Sequence, residues 1–175
     1  TVFDGCVLVS DGRIESVFRG DAAAPADVQV DCKGMYLCPG FVDIHVHGAY
    51  QASFSAQDPQ EIDRACAFHA KHGVTSLLPS TASSSYKNVV RAVGNIAEAM
   101  QRQPQGARIL GAHLEGCWLN PKCAGAQNPD YLFPARPEEY MPLVETGIIR
   151  RISAAPEVEG VLEMAQRLSK EGVLF

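Results

Sequence analysis

Two histidines separated by one apolar residue carry the clearest chemical signal in the chain, which reads FVDIHVHG over residues 41–48. The run predicts a buried strand, and because successive strand side chains point to opposite faces, His45 and His47 share one face. Two imidazoles in a core are costly unless their nitrogens are satisfied, either by hydrogen bonds in a polar core or by a metal ion. Their place at the carboxyl end of a predicted barrel strand, where active sites collect, favours the metal.

A second group of polar residues occurs in GAHLEG, residues 111–116. His113 and Glu115 share a face by the same period of two, and Glu115 lies at the end of its strand. A carboxylate there could complete a His, His, Glu set, a known catalytic zinc environment that leaves room for water. The alternative is a solvent-facing glutamate, which is common at strand ends. The presence of His45 and His47 on the earlier strand favours the interpretation of Glu115 as a metal ligand. Asp43 lies on the same face as these histidines and is a candidate hydrogen-bond acceptor that orients one of them.

Other residues capable of chemistry are assigned to packing. His69 shares a helical stripe with apolar residues, and His72 lies in the last turn of that helix, where a partly cationic imidazole suits the helix dipole. The six cysteines form no CxxC pair, and we interpret them as reduced thiols of a cytoplasmic protein, most of them in the core. Cys117 and Cys123 flank Trp118 without a visible activating base, so a thiol enzyme is not indicated.

From residue 41 onward, short β-branched runs alternate with amphipathic helices. Strands are predicted at residues 41–48, 74–81, 108–116 and 148–157, and a fifth begins at 173–175. Helices are predicted at about 58–73, 84–103, 137–145 and 161–172. Asp58 is the predicted N-cap of the first helix, with Pro59 at its first position. The predicted apolar stripe of the second helix consists of Val89, Val93, Ile96, Ala97 and Met100.

Repeated strand–helix units predict a parallel sheet covered by helices, either an open doubly wound sheet or a closed (β/α) barrel. A full barrel takes eight units and ~250 residues, whereas about four units are present here. The predicted fold class is α/β, a partial (β/α)8 TIM-type barrel over residues 40–175. Residues 1–39 are predicted to form a separate small sheet, with a hairpin turn at Asp11-Gly12.

Composition excludes several classes of function. Hydrophobic residues make up 46% and charged residues 20% of the chain, which predicts a folded globular protein. The net charge of −5 provides no basic surface, so nucleic acid is not expected as a partner. Because no apolar run approaches the ~20 residues of a membrane span, no membrane association is expected. The polar start, TVFDGCVLVSDGR, is unlike a signal peptide.

Five motifs, in this order, make the chain resemble the N-acetylglucosamine-6-phosphate deacetylases of the amidohydrolase superfamily: LCPGFVDIHVHG, HGVTSLLPST, GAHLEGCWLN, GAQNP and SAAPE. The first belongs to the whole superfamily, whereas HLEG followed by AxNP and APE is more specific to the deacetylases. The resemblance covers essentially all 175 residues. It implies that residues 1–39 belong to a small β-sandwich beside the barrel.

The resemblance also implies roles for individual residues. His45, His47 and Glu115 would bind a divalent metal, zinc or iron, as one or two ions; some family members lack HxH and hold a single zinc. Gln127 and Asn128 would contact the substrate. The implied reaction is hydrolysis of the N-acetyl group of N-acetylglucosamine 6-phosphate to acetate and the amino-sugar phosphate. Since a half barrel leaves a strand edge and apolar faces uncovered, a homodimer is expected.

The chain departs from the family at three points. Cys117 stands where the family has proline, and Gln127 stands where it has a histidine that helps to polarise the substrate carbonyl. Glutamine can donate a hydrogen bond but cannot be cationic. The family's remaining metal histidines, its aspartate acid/base and most phosphate contacts lie in the second half of the barrel. No catalytic acid/base is therefore assigned within these residues, and the isolated chain is expected to lack turnover.

Two alternative functions follow from the same residues. One is another amidohydrolase activity, on a cyclic amide or an N-acylated amino acid. The other is a non-catalytic piece that binds metal weakly or only self-associates.

Overall fold

Two units, Thr1–Pro39 and Gly40–Phe175, make up the chain in a computed structural model that describes residues 1–20 and 24–175. The first unit contains an antiparallel hairpin of β1 (Gly5–Ser10) and β2 (Arg13–Arg19). Asp11 and Gly12 join these strands with φ of 50° and 71°. A two-residue turn of type I′ requires this left-handed conformation at both positions. The predicted hairpin turn is confirmed.

The described residues of the first unit that follow the hairpin form no strand. Residues 24–39, the described part that follows β2, contain only turns and irregular backbone. Val28 and Val30 are 77% and 80% exposed, and Tyr36 is 83% exposed. Among the described residues, the small sheet predicted for residues 1–39 therefore consists of the β1–β2 hairpin alone.

In the second unit, strands and helices alternate along the chain. Its strands are β3 (Phe41–Val46), β4 (Gly48–Ala49), β5 (Ala52–Ser53), β6 (Val74–Pro79), β7 (Arg108–Ile109), β8 (Ala112–Leu114) and β9 (Ile149–Ile152). Its helices are α1 (Gln60–Lys71), α2 (Tyr86–Arg102), α3 (Pro137–Val144) and α4 (Val161–Leu168), with short 3-10 helices at Pro121–Cys123, Pro129–Tyr131 and Ser169–Glu171. The unit is mixed α/β, as predicted. Among the described residues, no helix has the length and apolar character needed to span a membrane.

The principal strands form a parallel ladder in sequence order. β6 pairs with β3 on one side and with β7 on the other, and β8 pairs with β9. Single parallel bridges join Ser80 to His113 and Arg151 to Leu174. The ladder therefore continues from β3 through β6, β7 and β8 to β9 and the last residues of the chain. Because its members are parallel, their carboxyl ends lie along one edge.

β3 lies at one edge of this ladder and is not buried. Phe41, Val42 and Ile44 are 71%, 58% and 50% exposed. The prediction of a buried strand is wrong, because β3 pairs only with β6 and no described strand lies along its other side. Apolar composition alone does not distinguish a central strand from an edge strand.

The core combines side chains of the ladder with those of all four helices. In α2, Val89, Val93 and Ile96 are buried at helical spacing, and Ala97 and Met100 are partly buried against the same core. The stripe predicted for this helix is confirmed.

Helix α1 begins one residue later than predicted. Pro59 is its N-cap residue and Gln60 its first residue, so Asp58 precedes the cap. Asp58 nevertheless stabilises the start of the helix, since its Oδ1 accepts a hydrogen bond from the backbone N–H of Gln60 at 3.0 Å.

The strand predicted at residues 108–116 is interrupted between β7 and β8. Gly111 lies at the interruption, and a Cβ atom there would be 2.5 Å from the carbonyl oxygen of Ile148. This close approach of two backbone segments requires glycine. The break allows β8 to pair with β9 after β7 has paired with β6.

The six cysteines are free, as predicted, but most of them lie outside the core. Cys66 and Cys117 are buried, whereas Cys6, Cys38 and Cys123 are exposed and Cys32 is partly exposed. Burial raises the pKa of Cys66 to about 12 and that of Cys117 to about 11. Both buried thiols therefore stay protonated near neutral pH, which agrees with a packing role.

Two leucines of α4 allow a matched test of the core. Leu168 is fully buried and Leu162 is 56% exposed. We expect Leu168→Ala to lower the free energy of unfolding by about 2–5 kcal/mol, because it leaves a cavity. Leu162→Ala should lower it by less than about 1 kcal/mol. Urea denaturation measures both values, and equal losses would contradict this packing of α4.

Candidate metal centre

His45 lies in β3 and His47 directly follows this strand, so the two imidazoles are neighbours. Their ring centroids are 5.3 Å apart and their planes meet at 68°. The strand period predicts this adjacency. The side chains are 43% and 47% exposed, however, because they belong to an edge strand. The pair is therefore accessible from outside.

Glu115 follows β8 and brings a carboxylate to both imidazoles. Its Oε2 contacts Nε2 of His45 and lies 3.2 Å from Nε2 of His47. The Glu115 side chain is only 17% exposed, and Oε2 has no hydrogen-bond partner among the described residues. A neutral imidazole stabilises this oxygen only in the tautomer that carries hydrogen on Nε2; otherwise a protonated ring or a cation between the three groups is needed.

His113 is fully buried behind this group and is held by two hydroxyls. Its Nδ1 is 2.8 Å from Oγ of Ser80, and its Nε2 is 2.9 Å from Oγ of Ser153. Burial lowers the pKa of His113 to about 4, and the positive charge of Arg151 acts in the same direction. The ring is therefore neutral near neutral pH, with one nitrogen donating and the other accepting.

His113 also belongs geometrically to the candidate centre. Its ring meets that of His45 edge-on, with centroids 4.7 Å apart. One ligand atom from each of His45, His113 and Glu115 lies within 4.8 Å of the other two. Sequence reasoning placed His113 on the face of Glu115 without counting it as a candidate ligand. The sequence feature that could have identified His113 as a candidate ligand is its position two residues before Glu115, which places both side chains on one face of the strand.

Two buried hydroxyls after β6 connect the strands that carry the centre. Oγ of Ser80 accepts a hydrogen bond from the backbone N–H of Val46 at 3.0 Å. Oγ1 of Thr81 accepts from the backbone N–H of Glu115 at 3.1 Å and donates to its carbonyl oxygen at 3.2 Å. β6 thus fixes the end of β3 and the backbone of Glu115 relative to each other.

Gln127 and Asn128, the predicted substrate contacts, lie in the segment next to Glu115. Nε2 of Gln127 donates to Oε1 of Glu115 at 3.0 Å, and its Oε1 accepts from the backbone N–H of Ser83 at 2.7 Å. Oδ1 of Asn128 accepts from the backbone N–H of Asp130 at 3.0 Å and caps a 3-10 helix. Both side chains have partners within the chain, and their contacts with substrate stay predictions.

The remaining polar candidates make other contacts. Oδ1 of Asp43 accepts from the backbone N–H of His45 at 3.0 Å, so it orients the strand and not an imidazole ring. His69 and His72 contact backbone carbonyls of β4 and α1, at 3.3 and 2.8 Å. These contacts agree with leaving both histidines outside the site.

The donor atoms fit a divalent cation. Imidazole nitrogens and carboxylate oxygens are common ligands of zinc and iron. The buried, unpartnered Oε2 of Glu115 supplies a negative charge, and His45 and His47 supply neutral donors. The placement of a buried carboxylate oxygen beside two imidazoles is the observation that fits a metal site.

The sequence matches the profile of the Amidohydrolase family over residues 36–146. The chain belongs to this family. The matched range includes His45, His47 and Glu115, and also both predicted substrate contacts.

Two individual relatives within this family are deacetylases of amino-sugar phosphates. The chain is 29% identical over 177 residues to the N-acetylglucosamine-6-phosphate deacetylase of Bacillus subtilis, which covers 98% of this chain and 45% of the relative. It is 32% identical over 139 residues to the N-acetylgalactosamine-6-phosphate deacetylase of Escherichia coli O157:H7, covering 78% of this chain and 37% of that one.

Solved structures of deacetylases are also similar to this chain. The N-acetyl-D-glucosamine-6-phosphate deacetylase of Mycobacterium smegmatis superposes with a TM-score of 0.85 at 32% identity, covering 97% of this chain and 44% of that one. A mutant of it, solved in complex with N-acetyl-D-glucosamine-6-phosphate, superposes with a TM-score of 0.81 at 31% identity, covering 97% and 43%. The chain spans less than half the length of each of these proteins.

A glycine beside Glu115 tests the packing of the centre. A Cβ atom at Gly116, whose φ is +98°, would lie 2.3 Å from the backbone nitrogen of Ser83. Gly116→Ala should therefore lower the free energy of unfolding by more than about 2 kcal/mol, through both overlap and backbone strain.

Gly125→Ala is the matched control for this substitution. Gly125 has φ of +61° and open space around its Cβ position, so only the conformational cost of about 1 kcal/mol is expected. Chemical denaturation of both variants provides the comparison. Equal destabilisation would show that the loops do not approach each other this closely.

Proposed function

We propose that this chain carries part of the active site of a metal-dependent amide hydrolase. The enzyme would remove the acetyl group from N-acetylglucosamine 6-phosphate to give glucosamine 6-phosphate and acetate. The convergence of His45, His47 and Glu115 carries the proposal. The names of the relatives, and the substrate bound in a similar structure, support this substrate class.

In this proposal His45, His47 and Glu115 hold zinc or iron, as one or two ions. A divalent cation at such a site polarises an amide carbonyl and lowers the pKa of water. Both effects are needed for hydrolysis, because an amide is a weak electrophile and neutral water is a weak nucleophile. Hydrolysis adds the water oxygen to the acyl carbon, breaks the C–N bond and transfers a proton to the departing amine.

The residues of this chain would prepare the site for that reaction. Glu115 presents one charged oxygen, and His45 and His47 present Nε2 atoms from an accessible edge. His113, neutral and held between two hydroxyls, supports the ring of His45 from the buried side. We assign the proton transfers to no described residue, and Asn128 remains a proposed substrate contact together with Gln127.

The proposal also includes the fold of each unit, the oligomeric state and the cellular location. Residues 40–175 would form the first half of a (β/α) barrel, supported by the parallel ladder in sequence order. Residues 1–39 would be part of a small β-sandwich, supported by the β1–β2 hairpin. The exposed apolar edge of β3 supports a homodimer. Free cysteines support the reducing conditions of the cytoplasm.

Removing the two exposed imidazoles tests the metal site. We expect His45→Ala combined with His47→Ala to weaken zinc binding at least about hundredfold, because two of the proposed ligands are lost. Equilibrium dialysis followed by elemental analysis measures bound metal per chain. His72→Ala removes a histidine that contacts a backbone carbonyl of its own helix and should leave metal content unchanged. Equal metal in all three proteins would contradict the site.

Acetate release tests the reaction. The natural polypeptide containing these residues should hydrolyse N-acetylglucosamine 6-phosphate, lose activity with a chelator and regain it with zinc or iron. The isolated 175 residues should show no turnover. N-acetylgalactosamine 6-phosphate, a cyclic amide and an N-acylated amino acid are the comparison substrates. Hydrolysis of only the last two would contradict the proposed substrate class.

A further inference from the structure

Gln127 connects the carboxylate of Glu115 to a loop that follows a different strand. Its amide nitrogen donates to Oε1 of Glu115 at 3.0 Å, and its amide oxygen accepts from the backbone N–H of Ser83 at 2.7 Å. The orientation of the amide follows from chemistry, because a backbone N–H can meet only the amide oxygen and a carboxylate can meet only the NH2 group. Both hydrogen bonds would be lost if the amide were rotated by half a turn.

This arrangement makes the two oxygens of Glu115 different. Oε1 is occupied by the amide of Gln127, whereas Oε2 is buried without a hydrogen-bond partner and faces His45 and His47. Because the two oxygens of a carboxylate are chemically equivalent, a half-turn restores the same arrangement, whereas a smaller rotation would break the bond to Gln127. The amide therefore fixes the orientation of the carboxylate, with one oxygen bonded to Gln127 and the other directed at the imidazoles.

The neighbouring backbone holds Gln127 in place. Its own N–H donates to the carbonyl oxygen of Ala124 at 3.0 Å, and the N–H of the next residue donates to Oγ of Ser83 at 3.0 Å. Ser83 in turn passes so close to Gly116 that a Cβ atom there would overlap its backbone. Because Gln127 is uncharged, it orients the carboxylate without neutralising the negative charge that a cation needs.

We propose that Gln127 is a positioning residue that holds Glu115 as a one-oxygen ligand and thereby sets the metal affinity of the centre. The inference rests on the proposed metal site, and it concerns a role that is exerted through Glu115 and not through substrate. It also gives position 127 a function that an uncharged side chain can perform.

The test is zinc affinity and cobalt absorption of the 175-residue chain. Gln127→Met keeps the approximate size of the side chain but removes the donor and the acceptor. We expect its zinc Kd to rise about tenfold, as for other residues that orient a metal ligand. The visible absorption spectrum of the Co²⁺-loaded protein should also change, because a released carboxylate alters the ligand geometry. A purely structural role would leave that spectrum unchanged.

Ser83→Ala is the matched control, because it removes the hydroxyl that anchors residue 128 but keeps the backbone N–H that binds Gln127. Its zinc Kd should rise by less than that of Gln127→Met, because the Gln127 amide keeps both of its hydrogen-bond partners. Gln101→Ala, on the exposed face of α2, controls for loss of a glutamine. If Gln127→Met does not fold, Gln127→Asn serves instead, since its shorter amide cannot bridge both partners.

The outcomes separate the two proposals. If the unsubstituted chain binds zinc and Gln127→Met binds it equally well with the same cobalt spectrum, the positioning role is refuted and the metal site stands. An equal loss in Ser83→Ala would also refute it, because the effect would then come from loop anchoring. If neither the 175-residue chain nor the natural polypeptide that contains it binds zinc, the proposed function itself fails.

Discussion

The contact of one buried carboxylate oxygen with two imidazoles is the constraint on which the arrangement of the second unit depends. Oε2 of Glu115 is shielded from water and has no hydrogen-bond donor among the described residues. A charged oxygen in that state is costly unless a positive charge approaches it. Each Nε2 atom beside it carries either a hydrogen or a lone pair, so the group is satisfied if one ring carries hydrogen on Nε2 or if a cation is shared. The parallel ladder is what brings these atoms together, because it sets the ends of β3 and β8 along one edge.

Hydroxyl groups maintain that geometry inside the ladder. Ser80 binds the backbone at the end of β3 and also the ring of His113, while Thr81 binds both backbone groups of Glu115. Since each hydroxyl can donate and accept, one short segment after β6 satisfies several buried polar atoms at once. Such a network is stable only when its members are satisfied together. These hydrogen bonds form a polar network on the buried side of the accessible imidazoles of β3.

Within the described residues, the candidate centre is exposed on the side of β3. His45 and His47 are half exposed because β3 pairs on only one side. The same edge exposes Phe41, Val42 and Ile44. The described residues bring together two imidazoles and one carboxylate, which are common ligands of catalytic zinc. Membership of the amidohydrolase family and the similarity to sugar-phosphate deacetylases are consistent with a catalytic centre of this kind.

The sequence by itself determined the local features. The shared face of His45 and His47, the Asp11-Gly12 turn and the buried stripe of α2 all followed from the geometry of single elements, because strand and helix periods and turn conformations are local properties. Sequence reasoning also named Glu115, since its position at a strand end is readable from the motif. Only the tertiary structure decided that β3 is an edge strand, that His113 stands between Ser80 and Ser153, and that Gln127 holds Glu115. Each of these depends on contacts between residues far apart in the chain, and the periodicity of one segment contains no information about which other segment will lie against it.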